Sequence, residues 1–379
     1  MKFFYLPLLV LAVSCGHSST TGSAMNIQFF DFPSRIEGAV SVEAFSGLTY
    51  EGQSAEGEFI FWSHTDRGPN AEADKKNQRP FVDPNFQPRL TQFKVHPDRP
   101  LATYMQTVYL TLPDGKPMTG LPNVVPSKGR IGDETPVTLA GETLALDPMG
   151  IDPEAICFAG EHIWLAEEYG PSLLKFTRQG KLVTRYVPQG HYLNERRPSY
   201  VKDILPAELL TRKMNRGFEG MTCLAGKIYT AIQSPLPADE KNILITEFDP
   251  YEERVTRSFY YPLESMDADK IGDLAHTNGK LLVLEQNSKT GPDSFHRIYE
   301  IDPNKTAQKG VATKSLFLDL VKAGYDFADK VEGMIMIDEK QIAIINDNDF
   351  GLVGTIDPKS KTAVIDPKKR SRLAIIKLD

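Results

Sequence analysis

The chain has 379 residues, of which 41% are hydrophobic and 25% are charged, and its formal net charge is −7. This composition provides a sizeable apolar core and excludes extensive disorder. The excess of acidic residues argues against non-specific nucleic-acid binding, although a local cationic pocket is compatible with it.

The N-terminus has the features of an export signal. Lys2 precedes an apolar run from Phe3 to Val13, which is too short to span a bilayer and ends at Ala12-Val13-Ser14-Cys15. Residues 1–15 resemble a bacterial lipoprotein signal, in which Cys15 would carry the lipid; the alternative is an ordinary signal peptide with an incidental cysteine. Residues 16–25 are rich in Gly, Ser and Thr and are predicted to form a flexible tether.

A β-rich segment recurs along the rest of the chain, which forms one predicted domain over residues 26–379. Its copies are AFSGLTYEGQSAEGEFIFWSHTDRG from Ala44, DPEAICFAGEHIWLAEEYGPSLLKF from Asp152, GFEGMTCLAGKIYTAIQS from Gly217, IGDLAHTNGKLLVLEQNS from Ile271 and KVEGMIMIDEKQIAIINDNDFG from Lys330. Turn residues separate the predicted strands, so each copy is expected to be a four-stranded meander.

The last copy lacks a fourth strand. The isolated N-terminal strand NIQFFDF is predicted to supply it, because ring closure removes exposed sheet edges. We therefore predict an all-β fold, a single β-propeller of five to six four-stranded blades closed by the N-terminal strand. The segment from Pro113 to Gly150 could hold the sixth blade; a β-sandwich is the alternative fold but does not explain the copies.

Cys157 and Cys223 occupy similar places in successive copies. An exported protein is permitted a disulfide, but two cysteines do not imply one, and two buried thiols are expected.

Each copy places a polar residue at the entrance to its first strand, where a propeller would gather these side chains at one end of its axis. These residues are Ser46, Glu154, Glu219, Asp273 and Glu332. Converging carboxylates are costly without compensation, and Ca²⁺ accepts many oxygen ligands, so Glu154, Glu219, Asp273 and Glu332 are predicted Ca²⁺ ligands. The alternative is that each acid accepts backbone N–H bonds and joins neighbouring blades.

A second set of polar residues follows the second strands. Arg67 is predicted to bind an anionic substrate group or, alternatively, to pair with the channel acids. Glu168 and Glu285 are predicted substrate contacts, and the candidate bases are Asp66, Asp347, Asp349 and His64, the last with a structural role as its alternative. The sequence contains no GxSxG, P-loop or HExxH motif.

Several segments in fixed order resemble the phytase-like family named for the esterase-like activity of phytase. They are SGL…SHTDRG, TGLPN, DPEAI…WLAEEYGPSLLKF, NRGFEGMT, LLVLEQNS…FHRIYEID and VEGM…INDNDFG. The resemblance implies a β-propeller and hydrolysis of an ester or phosphate ester at the cell surface. Ala155 stands where the family pattern usually has Gly.

These observations together predict an exported, lipid-anchored, Ca²⁺-assisted hydrolase acting on a small-molecule ester or phosphate ester. The protein is expected to be a monomer that meets the membrane only through its anchor and binds no nucleic acid. The alternative function is a non-catalytic binding propeller of the cell envelope, which would bind a ligand without turnover.

Overall fold

The predicted strands form, and they account for most of the regular structure. A computed structural model describes residues 26–37, 40–41, 44–73, 75–124, 131–192, 197–264, 267–357 and 359–378. The predicted signal peptide, the tether before residue 26 and Cys15 lie outside the described residues. In chain order the strands are β1 (Ile27–Asp31), β2 (Ile36–Glu37), β3 (Val40–Ser41), β4 (Thr49–Gln53), β5 (Phe59–His64), β6 (Gln78–Phe81), β7 (Arg89–Val95), β8 (Thr103–Tyr109), β9 (Thr135–Thr138), β10 (Pro153–Ala159), β11 (His162–Glu167), β12 (Ser172–Phe176), β13 (Leu182–Pro188), β14 (Val201–Leu205), β15 (Phe218–Leu224), β16 (Lys227–Ile232), β17 (Asn242–Asp249), β18 (Arg254–Pro262), β19 (Lys270–Thr277), β20 (Lys280–Gln286), β21 (His296–Ile301), β22 (Lys314–Asp319), β23 (Val331–Asp338), β24 (Gln341–Asn346), β25 (Leu352–Ile356), β26 (Ala363–Ile365) and β27 (Arg372–Lys377).

Five sheets form the blades of a propeller. Blade 1 contains β4, β5, β7 and β8, blade 2 contains β10 to β13, blade 3 contains β15 to β18, and blade 4 contains β19 to β22. Blade 5 contains β23, β24, β27 and β1, while β14 adds a parallel fifth strand to the edge of blade 2. The first strands of neighbouring blades contact one another around a closed ring. The predicted all-β propeller is therefore confirmed, with five blades.

The N-terminal strand closes the ring as predicted. β1 pairs antiparallel with β27, with Ile27 opposite Ile376 and Asp31 opposite Arg372. A sixth blade does not form: among the described residues of 113–150, only β9 is a strand, and it pairs with β6 rather than with a blade. In the two-stranded sheet β6–β9, β6 is inserted in blade 1 and β9 lies in the connection from blade 1 to blade 2. The sheet β25–β26 is an insertion in blade 5, and β2–β3 forms a third small sheet.

Apolar faces of neighbouring blades bury one another, because alternate strand residues point to opposite faces of each sheet. At the seam between blades 2 and 3, the Trp164 ring stacks on Tyr186 with centroids 5.6 Å apart and contacts Phe248. The same seam carries a disulfide between Cys157 in β10 and Cys223 in β15. The expectation of two free thiols is wrong, because packing of adjacent blades brings the two first strands together.

The helical content is limited to single turns. The 3₁₀ helices span Ala207–Thr211, Gly291–Asp293, Pro303–Lys305 and Asp349–Gly351. None of the helices in the described part of the chain is long and apolar enough to cross a membrane.

Candidate functional site

Charged side chains from all five blades line a cavity of about 390 Å³ at one end of the propeller axis, which we call the central cavity. Its carboxylates are Asp66, Glu72, Glu154, Glu168, Glu219, Glu332, Asp347 and Asp349. Its cationic side chains are Arg67, Arg79, Arg216, Lys270, Lys330 and Lys369. The structure thus brings together most of the predicted site residues, together with cations that the sequence pattern did not single out.

In blades 2, 3 and 5, a bulge at the start of the first strand aims one residue into the central cavity. Strand pairing skips Glu154 in blade 2, Glu219 in blade 3 and Glu332 in blade 5. A bulged residue is unpaired and its side chain is redirected from the regular alternation. These three glutamates therefore meet at the axis, as the repeat had indicated.

Asp273 does not belong to this set, because in blade 4 the skipped residue is Gly272. The Asp273 carboxylate faces the neighbouring blades and accepts hydrogen bonds from the backbone N–H groups of Leu274 at 2.7 Å, Met334 at 2.9 Å and Met221 at 3.4 Å. A Glu at residue 272 would not fit, since its Cβ would lie 2.3 Å from the Val331 carbonyl oxygen. Asp273 is thus a link between blades 3, 4 and 5, away from the cavity lining.

Glu285 also lies outside the lining, and strand alternation is the reason. When the second strands are aligned, Glu285 of blade 4 is equivalent to Glu167 of blade 2. Both stand one residue before the position that the cavity residue Glu168 occupies in blade 2. The Glu285 carboxylate accepts hydrogen bonds from the Tyr261 hydroxyl and from Lys314. A shift of one residue in a strand moves a side chain to the other face of the sheet.

The His64 imidazole is fully buried beneath Gly47, where an added Cβ would lie 2.3 Å from Nε2. Its Nδ1 lies 3.2 Å from the Thr65 carbonyl oxygen, and burial lowers its pKa to about 4. A neutral imidazole enclosed in this way packs against the backbone and does not face the central cavity.

A cluster of buried acids occupies the side of the cavity formed by blades 2 and 3. Oxygens of Asp152, Glu154 and Glu168 lie within 4.8 Å of one another. Among the residues that the structure describes, none donates a hydrogen bond to either carboxylate oxygen of Glu219, although the Gln233 amide is near enough to act on its pKa. Burial, and then Glu332, raise the pKa of Glu219 to about 8, so the cluster favours either a proton or a bound cation.

Ser46, which precedes the first strand of blade 1, contacts two glutamates of the central cavity. Its hydroxyl oxygen lies 2.6 Å from Oε2 of Glu154 and 3.0 Å from Oε2 of Glu332. A hydroxyl carries one hydrogen, so both contacts are hydrogen bonds when one carboxyl group is protonated and donates to Ser46. Burial and the charge of Asp152 raise the pKa of Glu154 well above its ordinary value, which favours that protonated state.

Arg67 is held by acids on three sides. Its Nε lies 3.0 Å from Oδ2 of Asp152, and its terminal nitrogens lie 3.4 Å from Oε2 of Glu134 and 3.7 Å from Oε2 of Glu168. Its backbone N–H also donates to Oδ1 of Asp152 at 2.9 Å. This arrangement matches the predicted alternative, an ion pair with the channel acids, and leaves little charge for a substrate.

The TGLPN segment supports the loop that carries Arg67. A Cβ on Gly120 would lie 1.6 Å from the Arg67 carbonyl oxygen, so only glycine allows the two backbones to approach so closely. The Tyr169 hydroxyl donates to the Gly120 carbonyl at 2.8 Å, and the Arg67 guanidinium lies over the Tyr169 ring.

On the opposite side, Asp66 and the Asp347–Asp349 loop face the central cavity. Burial and the nearby charge of Asp152 raise the pKa of Asp66 to about 7, and its Oδ1 accepts a 2.8 Å hydrogen bond from the Gly68 N–H. Lys330 pairs with Asp349 and lies 3.6 Å from Asp347. Asp349 also pairs with Lys369, and these charges keep its pKa below the ordinary value despite its burial.

Two lysines of the lining occupy equivalent positions in their blades. Lys270 in blade 4 and Lys330 in blade 5 each stand two residues before the residue that the strand pairing skips. In blade 2 the equivalent residue is Asp152. Alignment of the copies on Gly272 would have revealed this position. Alignment of blade 4 on Asp273, which the sequence pattern had suggested, concealed it.

Comparison with known proteins gives a family match and a relative. The model of a family described as phytase-like, with esterase-like activity of phytase, matches residues 40–350. An uncharacterized secreted protein of Arthroderma benhamiae is 26% identical in an alignment of 324 residues that covers 70% of this chain and 62% of the relative's length. This chain thus spans less than two thirds of that relative.

Two solved structures are similar at low identity. The PQQ-bound aldose sugar dehydrogenase of Streptomyces coelicolor is 9% identical with a TM-score of 0.38, covering 93% of this chain and 98% of that one. The catalytic domain of the Coprinopsis cinerea GH62 α-L-arabinofuranosidase is 10% identical with a TM-score of 0.42, covering 93% of this chain and 96% of that one.

Proposed function

Because this chain belongs to the phytase-like family, we propose that it hydrolyses an ester or phosphate ester of a small anionic molecule in the central cavity, assisted by Ca²⁺. One observation carries this proposal: acids without hydrogen-bond partners and cationic side chains converge in a single cavity at the axis. Such a site suits a substrate with negative charge and a chemistry that needs a hard cation.

The acid cluster fits a hard cation. Asp152, Glu154 and Glu168 offer oxygens within 4.8 Å of one another, and Oε1 of Glu168 and both oxygens of Glu219 lack hydrogen-bond partners. Buried carboxylates without partners are costly, and coordination of a cation relieves that cost. Asp152, Glu154 and Glu168 would hold the ion, Glu219, whose oxygens accept no hydrogen bond from the described residues, would complete the set, and Glu332 would lie at its margin.

The chain's own residues would supply the remaining chemistry. A bound Ca²⁺ would polarise the ester oxygen and make a bound water more acidic. Asp66, whose pKa of about 7 suits proton transfer near neutrality, would accept the proton of the attacking water. Asp347 is the second candidate base, since burial and the charge of Asp349 raise its pKa well above the usual range.

We also propose that the protein is exported and anchored through Cys15. Support comes from the apolar N-terminal segment and from the relative described as secreted. Replacing Cys15 with Ser tests the anchor: the variant should move from the membrane fraction to the soluble exported fraction and lose incorporated palmitate label. Unchanged membrane association would exclude lipidation at this residue.

The hydrolase proposal is tested with purified protein, p-nitrophenyl phosphate, phytate and p-nitrophenyl acetate, each in Ca²⁺ and in chelator. Turnover that requires Ca²⁺ and is lost in Glu219→Gln, but kept in Glu161→Gln on the exposed surface, is the expected result. Calorimetric titration with Ca²⁺ separates loss of the ion from loss of fold. Stoichiometric ligand binding without turnover would support the non-catalytic binding propeller instead.

A further inference from the structure

Blade 4 differs from its neighbours in the charge that it presents to the central cavity. At the skipped position of the first strand, blades 2, 3 and 5 each have a glutamate, whereas blade 4 has Gly272. A second equivalent position lies at or directly after the end of the second strand. There, blade 2 has Glu168 and blade 5 has Asp347, whereas blade 4 has Gln286. Blade 4 therefore contributes no carboxylate to the lining.

Blade 4 contributes Lys270 instead. This half-buried side chain lines the central cavity and makes neither an ion pair nor a hydrogen bond with any residue that the structure describes. The other lining cations each have a carboxylate oxygen within 4 Å; they are Arg67, Arg79, Arg216, Lys330 and Lys369. Lys270 is thus the cationic lining residue whose charge is not already neutralised by a direct partner.

The groups next to Lys270 are also hydrogen-bond donors. Gln286 is opposite Lys270 in the strand pairing and is fully buried; its Oε1 accepts from the Val331 N–H at 3.0 Å, and its Nε2 has no partner. Nε2 lies 2.6 Å from where a Cβ on Gly272 would be. The exposed Ser288 adds a hydroxyl to the lining. The Lys270 ammonium and the Ser288 hydroxyl line the cavity, and the fully buried Gln286 amide lies beside Lys270 in the strand pairing; these donors favour an anion.

We propose that Lys270 binds the phosphoryl group of a phosphate-ester substrate, so that discrimination of phosphate esters from neutral esters in the central cavity depends on this residue. This inference rests on the proposed function for its consequence in catalysis, but the anion site stands on the geometry of blade 4. A lysine ammonium offers three donors as a compact point charge, and lysine is a common ligand of phosphate groups. Glu219 of the acid cluster lies within electrostatic reach of Lys270, and the cluster would repel the same anion unless a cation occupied it.

The first test measures binding of inorganic phosphate by calorimetry to the full exported chain and to Lys270→Met, Lys270→Arg and Lys181→Met. Lys181 is an exposed lysine of blade 2 and serves as the matched control. Lys270→Met should weaken phosphate binding by about tenfold or more, the expected loss of a charge-assisted hydrogen bond. Lys270→Arg should recover part of the affinity, and Lys181→Met should bind as the wild type does.

The second test compares KM and kcat for p-nitrophenyl phosphate and p-nitrophenyl acetate. Lys270→Met should raise KM for the phosphate ester by about tenfold and lower kcat/KM for the phosphate ester relative to the acetate ester by a similar factor. Equal phosphate affinity of wild type and a correctly folded Lys270→Met, judged by circular dichroism, would overturn the proposal. The proposal also fails if Lys270→Arg, which keeps the charge, loses as much affinity as Lys270→Met.

The two proposals fail in different ways. If no ester is hydrolysed but phosphate binding depends on Lys270, the hydrolase function fails and the anion site stands. If acetate esters are hydrolysed with Ca²⁺ but phosphate does not bind, the anion site fails and the hydrolase function stands.

Discussion

The ring of Phe86 in blade 1 packs edge to face against the ring of Phe350 in blade 5, with centroids 5.2 Å apart. Phe86 also supports the turn after Asp66, since a Cβ on Gly68 would lie 2.4 Å from its ring. Phe350 follows Asp349, and both have positive φ, of 57° and 46°. This aromatic contact joins the two loops that present Asp66 and Asp349 to the central cavity.

Replacing Phe350 with Ala should therefore lower both stability and activity. Loss of a buried phenylalanine costs about 3–5 kcal/mol, and the strained Asp349 backbone would lose its support. Urea unfolding and kcat on the best substrate give the two effects. Phe327→Ala, which removes a partly exposed ring, is the control; equal kcat in wild type and Phe350→Ala would show that the contact does not position the site.

Asp66→Asn should remove the pH dependence of hydrolysis near neutrality. The raised pKa of Asp66, about 7, means that its basic form accumulates only as the pH passes 7, so wild-type kcat/KM should rise through this range. The variant should be slower by about 10²–10⁴-fold and lack that rise. Asp98→Asn, on the surface, is the matched control. A rise that persists in Asp66→Asn would assign the base to another residue, with Asp347 the next to test.

Asp273→Asn and Glu219→Gln should give opposite results. The first removes acceptor strength from three backbone N–H bonds and should cost about 1–3 kcal/mol of stability while Ca²⁺ affinity stays unchanged. Glu219→Gln removes a buried carboxylate that accepts no hydrogen bond from the described residues, so it should weaken Ca²⁺ binding. In the presence of chelator, this variant should be at least as stable as the wild type. Loss of Ca²⁺ affinity in Asp273→Asn would restore that residue to the ion site.

The protein in chelator should become less stable as the pH rises from about 4 to 8. The pKa values of Glu219, Asp66 and Glu167 are raised to about 8, 7 and 7, chiefly by burial, so between these pH values the folded state binds more protons than the unfolded state. The stability that those protons provide is present below about pH 4 and is lost as the pH passes the raised values.

Calcium should offset that loss, because it binds the deprotonated acids. The rise in Tm on adding Ca²⁺ should therefore be larger at pH 8 than at pH 5, and smaller in Glu219→Gln than in Glu161→Gln. Thermal unfolding at the two pH values measures both effects. A Tm in chelator that increases from pH 5 to pH 8 would contradict the assigned burial of these acids.

Reducing the Cys157–Cys223 disulfide should destabilise the seam between blades 2 and 3. The bond closes a loop with a sequence separation of 66 residues, and removal of such a bond costs about 2–4 kcal/mol. Dithiothreitol should lower the Tm of the wild type and have no effect on a variant with Ser at both positions. Equal Tm values with and without reductant in the wild type, with reduction confirmed by thiol titration, would show that the bond adds no stability.

The repeats were enough to predict the fold, because alternation and turn residues are local and are repeated five times. The match of NIQFFDF to the outer strands likewise indicated that the N-terminal strand completes blade 5. The acids at the strand entrances were visible for the same reason, and Glu154, Glu219 and Glu332 do line the central cavity.

Where either of two adjacent residues could face the central cavity, only the tertiary structure decided which one does. One bulge places Gly272, not Asp273, at the skipped position, and one step along a strand sends Glu285 to the opposite face from Glu168. The choice between the two predictions for Arg67 also needed the structure, in which acids distant in sequence neutralise it, and Lys270 has no direct partner among the described residues. The side chains of a strand alternate with a period of two, so the local sequence pattern gives the spacing of the residues that share a face. Which face they share depends on the position of the bulge, and which charges are neutralised depends on their partners; both are set by the packing of the blades.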